Sequence, residues 1–523
     1  MGCAVADQPT EVAFTVNGEV VSVPTGGTLL DALREDLGLH SVKDGCSPQG
    51  QCGCCTVWVD GQPRVSCVTP VARIKGRSVT TVEGLAEADA WAASFCDHGG
   101  SQCGFCTPGI IMRAAALDPV KRGSAVAVSQ SLLAHMCRCT GWHPIIESIT
   151  SVELGGPAAA ERAAEGDDDR QAAERRAGLE GGVPQQVGGA VALGRGGFAD
   201  DTAPPDALVA VRGVDGDWVV GDTLAEARRL SGKVQGRRTT APLTWPLDVP
   251  AGDWARTLQT TWVEPAYLEP DASWCHPGGE PMSSHGNGGA FGAKQSGELG
   301  AVARQLADRH GRPVRVLSTR EDVVRLGAKR PPLAAGVRDD GSGIVHVART
   351  EGITEAVQSV APNVDVVEFD LPGPPTSVAL RGAGWVEMAA LLASLDGQPR
   401  STVVSPSGAE AAAEIDDDGT IRVRVSCGAP LDTTVLRSFC IGAAHMALGW
   451  VTTEGLSVDA DGVPHDLTIR SFGVVRAVDT PAIEVEIVAS DGPPVNGSDA
   501  VFAAVAAAVW RRAGWASRWP TAH

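Results

Sequence analysis

Cys46, Cys52, Cys55 and Cys67 form one group of four thiols, and Cys103, Cys106, Cys137 and Cys139 form a second. Four thiolates is the ligand number of a [2Fe–2S] cluster. Two such groups close together in sequence predict two clusters, a relay that moves electrons singly. Disulfides and zinc are the alternatives for clustered cysteines. Zinc usually takes two C-x2-C pairs or mixes in histidine, and neither group has that form. The first group has five residues between Cys46 and Cys52, where the plant-type ferredoxin loop has four. A bulge around Pro48 is expected. Cys54 adjoins Cys55. Adjacent residues rarely aim both side chains at one centre, so Cys54 is expected to pack as a non-ligating thiol.

The flanking residues supply the elements that must position these sulfurs. Apolar residues alternate along residues 12–22 around Asn17-Gly18, the pattern of a tight hairpin. Leu29, Leu30 and Leu33 fall on one face of a predicted helix over 28–35. A glycine-rich cysteine loop follows, in which Gly50 and Gly53 let backbone N–H groups turn toward the sulfur site. Thr56–Asp60 reads as a strand ending in a turn at Asp60-Gly61. Residues 83–150 read as largely helical. Helices are predicted over 109–117 and 129–136, with Cys103 and Cys106 at the start of one and Cys137 and Cys139 at the end of the other.

The chain has 523 residues, room for several domains. Its net charge of −20 argues against nucleic acid as a partner, since phosphate binding needs a basic face. Residues 1–8 show neither a basic, apolar leader nor a Ser or Thr at the sixth position, where Ala6 stands. The longest plainly apolar run, residues 500–510, is too short to span a bilayer. A cytoplasmic protein with reduced thiols and no membrane span is expected.

On these motifs residues 8–150 resemble the iron–sulfur part of the xanthine dehydrogenase / aldehyde oxidase family of molybdenum hydroxylases. The carrying residues are Cys46, Gln51-Cys52-Gly53, Cys55-Thr56, the run Gln102-Cys-Gly-Phe-Cys-Thr-Pro-Gly109, and Cys137-Arg-Cys-Thr-Gly141. The resemblance implies a ferredoxin-like β-grasp over 8–82 and a helical cluster-binding bundle over 83–150. It places the bundle's cluster next to a pyranopterin, with Gln102 and the Cys139 region approaching it, and the other cluster toward a flavin. An acidic, alanine-rich linker over 151–186 is expected to be a solvated hinge or short exposed helix. A flavin domain would stand there in single-chain relatives, so FAD is expected only on a partner subunit.

Residues 187–523 resemble a shortened version of the family's molybdopterin-binding part, giving an α+β multidomain chain overall. Matching segments include residues 194–201, 263–270, the glycine loop Gly288-Gly289-Ala290-Phe291-Gly292, residues 374–384, and residues 469–481 and 484–488, which resemble C-terminal strands. Glycine-loop N–H groups would reach the cofactor's phosphate. The resemblance makes Arg381 the group that orients or polarises a small-molecule substrate and Asp499 the general base. Asp499 is one methylene shorter than the family's glutamate; its other expected role is to cap the helix over 500–511. Ser426-Cys-Gly-Ala-Pro430 stands where the family has a glutamine-bearing glycine loop. Three readings follow. The first is hydroxylation of an aldehyde or N-heterocycle, with electrons leaving through both clusters to a flavoprotein. The second is an electron-transfer and scaffold subunit beside a separate full-length molybdopterin subunit. The third is a redox-sensing iron–sulfur protein. Roles for Cys3, Cys96, Cys275, Cys427 and Cys440 are not assigned; buried, inert thiols are the default.

Overall fold

The computed structural model describes residues 11–47, 49–154, 167–233, 241–282, 289–294, 298–398 and 400–522. Gly288, Cys3 and Pro48 lie outside the described residues. The expected hairpin is present: Asn17 and Gly18 both take positive φ, 52° and 92°, the turn whose twist matches its strands. The strand Glu11–Val16 also pairs in parallel with Ser78–Thr80, which pairs antiparallel with Thr56–Val59. Five strands thus form one mixed sheet. Thr28 caps the helical turn that follows the hairpin, exchanging hydrogen bonds with Asp31, and that turn buries Leu29, Leu30 and Leu33.

Helices Ala88–Asp97, Thr107–Ala115, Ala125–Ser131 and His143–Ser151 make the next unit. The expected helix over 129–136 is displaced toward the N-terminus. Ser124 caps it and it ends at Ser131, so residues 132–136 turn back and the Met136 N–H donates to the Cys52 carbonyl at 3.0 Å. That turn places Cys137 and Cys139 between helices.

The second half of the linker departs from expectation. Asp167–Gly181 is a fifteen-residue helix, and Arg176 and Glu180 on it are fully buried. Arg176 Nη1 pairs with Glu180 at 2.9 Å, and the guanidinium also donates to the carbonyls of Ala429, Pro430 and Val495. The Glu180 carboxylate accepts from the N–H groups of Gly497 and Ser498. This segment is part of the second half's interior, tied down by one buried ion pair.

Residues 208–487 contribute three four-stranded sheets around two packed helices, Thr433–Thr452 and Ser498–Arg512. The second is alanine-rich, which lets the two helices approach closely; Trp450 stacks on Phe502 at 5.3 Å. By length and composition alone Thr433–Thr452 could cross a membrane, but 78% of its apolar window is buried inside the protein, as in a core helix. Of the expected C-terminal strands only Ile483–Ile487 forms; Ile469–Phe472 and Ala477–Asp479 are single helical turns. Residues 374–384 form an irregular loop that enters the helix Trp385–Ala393.

The halves share one interior. Trp142 Nε1 donates to the Val475 carbonyl, and a β-carbon on Gly442 would stand 1.7 Å from the Cys139 carbonyl oxygen. His445, one turn further along the same helix, is fully buried and bonds the Val475 carbonyl through Nε2, while Nδ1 has no partner. Burial lowers its pKa from 6.5 to about 4. Unfolding therefore takes up a proton between those values, and stability falls as pH is lowered through that window, by up to about 3 kcal/mol. His445→Gln should flatten the fall in thermal midpoint between pH 7 and pH 4; an unchanged slope would assign it to other groups.

Candidate iron–sulfur centres and the adjoining pocket

The loop after the first helical turn carries Cys46, Cys52 and Cys55, and the short turn after Gln62–Val65 returns Cys67 to it. Positive φ at Gly50 (71°) and Gly53 (76°) bends the loop, and a β-carbon on Gly53 would strike His135 at 2.6 Å. The Cys46 sulfur meets those of Cys52 and Cys67, and Cys67 meets Cys55. In the helical unit the Cys139 sulfur is 3.5 Å from that of Cys103, Cys137 meets Cys106 and Cys139, and all four are buried. Neighbouring S–H groups hold Cys46 and Cys137 well below the ordinary thiol range, while the same contacts push Cys52, Cys106 and Cys139 well above it. Among the described residues no group of His, Cys, Asp or Glu is arranged around a single metal ion. Each quartet instead offers four sulfurs, the donor set of a binuclear iron–sulfur core. Backbone donors support it: the Gln49 N–H points to the Cys46 sulfur at 3.0 Å.

Cys54 is buried, as expected, but it is no bystander. Its sulfur abuts that of Cys52 and faces Cys103 of the other quartet. Gly109 packs under this stretch, where a β-carbon would lie 2.5 Å from the Gly53 carbonyl oxygen. With the Cys52–Met136 hydrogen bond, this contact brings the two quartets close, with Cys54 between them. Serine at 54 fits the same space, and Cys54→Ser should keep the full iron content and both reduced-state EPR signals; loss of the first signal would make Cys54 a ligand.

A cavity adjoins the second quartet. Arg138, between Cys137 and Cys139, lines it and pairs with Glu454 through two hydrogen bonds of 2.6 and 2.8 Å. Ala290 and Phe291 line it as well. Gly289 is forced to be glycine, because a β-carbon would stand 2.5 Å from the Cys139 sulfur; at Gly292 it would be 1.6 Å from the Ala379 carbonyl. Gln102 is buried beside this wall, donating to the Cys139 carbonyl and Ser438, while its Oε1 has no partner.

Arg381 lines the cavity, 4.0 Å from the Phe291 ring centre. Its Nε donates to Asp499 at 2.8 Å and its Nη2 to Ser498 Oγ at 2.7 Å. The structure thus joins Arg381 and Asp499, with the Asp499 carboxylate engaged in the ion pair. Gly497 occupies the cap position of the Ser498–Arg512 helix, and the Asp499 N–H bonds Asn496 Oδ1, so Asp499 is not the cap. Reading by motif missed Arg330, Glu387 and Glu454. Arg330 pairs with Glu387 at 2.7 and 2.9 Å, donates to the Arg381 carbonyl and lies 3.9 Å from the Trp450 ring centre. Of the three, only Glu387, inside Trp385-Val-Glu-Met-Ala389, is marked in sequence by its charge within apolar surroundings.

Residues 9–84 match the family described as 2Fe-2S iron-sulfur cluster binding domain, and residues 81–150 match [2Fe-2S] binding domain. The nicotinate dehydrogenase small FeS subunit of Eubacterium barkeri is 41% identical over 148 residues, which cover 26% of this chain and 91% of that protein. The xanthine dehydrogenase iron-sulfur-binding subunit of Escherichia coli is 36% identical over 151 residues, 27% of this chain and 93% of that one. The aldehyde oxidoreductase of Megalodesulfovibrio gigas is 40% identical over 149 residues, only 16% of its length. In fold, the aldehyde oxidoreductase structure from Desulfovibrio gigas matches with a TM-score of 0.70 at 15% identity, covering 98% of this chain and 99% of that one. The family models and relatives mark an electron-transferring oxidoreductase with two [2Fe–2S] clusters, and the fold match gives it a multidomain α+β architecture. The chain belongs to the xanthine dehydrogenase / aldehyde oxidase family of molybdenum hydroxylases.

Proposed function

We propose that this chain oxidises a small molecule at the cavity beside Cys139 and passes the electrons singly through the Cys103–Cys139 cluster, then the Cys46–Cys67 cluster, to FAD on a partner subunit. One observation carries the reading: Arg138 stands between two ligands of the second cluster and also lines the cavity. The wall suits a pyranopterin, since the buried Gln102 Oε1 lacks a partner and Gly289 leaves the Cys139 sulfur bare on that side. Gln102, Gly289, Ala290, Phe291 and Gly292 would hold the cofactor, with Gly288 at the loop's start. When bound, molybdopterin supplies oxidative hydroxylation of a carbon beside a heteroatom or carbonyl, as of an aldehyde or N-heterocycle.

The chain's own residues then have separable tasks. Phe291 and Trp450 exclude water with apolar surface. Arg381 presents a fixed cation to a carbonyl or ring nitrogen, held by Asp499 and Ser498. Asp499 holds Arg381 through Oδ1, so its first task is positioning. Domains over 8–82, 83–150 and 187–523, a partner carrying FAD, and a cytoplasmic location complete the proposal. The test is metal analysis of complex co-expressed and purified without oxygen. About one molybdenum per chain is expected beside about four irons; iron without molybdenum would leave only a conducting and scaffolding role.

A further inference from the structure

Arg320 opens the helix Arg320–Leu326 and is fully buried. Its Nη2 donates to the carbonyls of Gly45 and Leu268 at 2.7 and 2.8 Å. Its Nε and Nη1 have no hydrogen-bond partner, and no carboxylate pairs with it among the described residues. The ring of Tyr267 lies 5.8 Å away. Arg138, Arg176, Arg330 and Arg381 are comparably buried, and each has a carboxylate. Glu264 and Asp271 share the surroundings of Arg320 at Tyr267 and Lys329 without pairing with it, and a buried cation costs several kcal/mol unless negative charge faces it. Gly45 immediately precedes the ligand Cys46, and a β-carbon there would lie 3.2 Å from the Cys52 sulfur. The guanidinium therefore hangs one peptide unit from the first quartet.

We propose that Arg320 is the buried counter-charge of the first [2Fe–2S] cluster and holds its reduction potential up. The inference rests on reading the first quartet as a cluster site. Reduction adds one electron and one negative charge to the cluster, with no bond or proton change at Arg320. A nearby cation favours the more negative, reduced form. Arg320 thus makes the first cluster a better electron acceptor from the second, which sets the direction of flow.

The test is a redox titration of the whole iron-loaded chain, followed by EPR with dithionite as reductant. The signal that survives in Cys106→Ser assigns the first cluster. In Arg320→Gln the reduced-to-oxidised ratio of that cluster at fixed potential should fall about tenfold, a shift of about 59 mV to more negative potential for one electron. The second cluster should not move. Arg320→Lys should restore most of the shift. Arg320→His places a titratable cation there, and the first potential alone should fall as pH rises through the imidazole range. Should the Gln variant not fold, the His variant decides. Both clusters present with an unmoved first potential, or a pH-independent His variant, would overturn the assignment. Absence of two signals in the unaltered chain would instead defeat the cluster reading itself.

Discussion

Cys106→Ser should halve the iron, from about four to about two atoms per chain, and leave one of the two EPR signals. The Cys106 sulfur lies against that of Cys137 in the buried quartet. A serine hydroxyl is a poor substitute for a thiolate, the soft ligand that iron–sulfur clusters select. The second quartet adjoins the cavity through Arg138 and faces Cys54 of the first loop, so loss of its cluster should cut the proposed relay. Oxidation of substrate with an external acceptor should fall by more than the roughly 10- to 100-fold typical of changes to supporting residues alone. The first cluster, enclosed by its own loop and sheet, should keep its signal. Bleaching of both signals would mean that the sites fold as one unit; retention of full iron would show that the quartet is not the ligand set.

Glu180→Ala should cost about 3–5 kcal/mol, because it leaves the buried Arg176 guanidinium without its counter-charge. The same change strips two N–H groups at the start of the Ser498–Arg512 helix of their acceptor, adding about 1 kcal/mol. Differential scanning calorimetry should show the transition of the second half at lower temperature, and limited proteolysis should open the linker before other sites. The double change Arg176→Met with Glu180→Leu should recover much of the loss, since an apolar pair of similar volume can replace a buried ion pair at little cost. An unaltered melting curve for Glu180→Ala would mean that the linker helix does not dock in solution.

The cluster sites were legible because they need a fixed number of one residue type at close spacing, and eight sulfurs in two short stretches have few other meanings. The hairpin at Asn17-Gly18 was legible for a similar reason: its turn needs residues that tolerate positive φ. Element ends were harder. The helix expected over 129–136 was displaced because Ser124 caps it, and because the Met136 N–H is used by a carbonyl more than eighty residues upstream. The linker helix was hidden by composition. Its run of Asp, Glu, Arg and Ala looks solvated, and only a tertiary partner makes Arg176 and Glu180 interior. Around the cavity, Arg381 and Asp499 were found by motif and are in contact, whereas Arg330, Glu387 and Glu454 lie in unrelated segments that only folding brings together.

Gly442 touches the Cys139 carbonyl so closely that not even a methyl group would fit between them. The Arg138–Glu454 pair clamps the same spot from the other side. The Cys139 segment and the cavity wall are thus in direct contact on two sides. On the proposed relay, an electron leaving the cavity should cross this wall without a conformational step between its two sides.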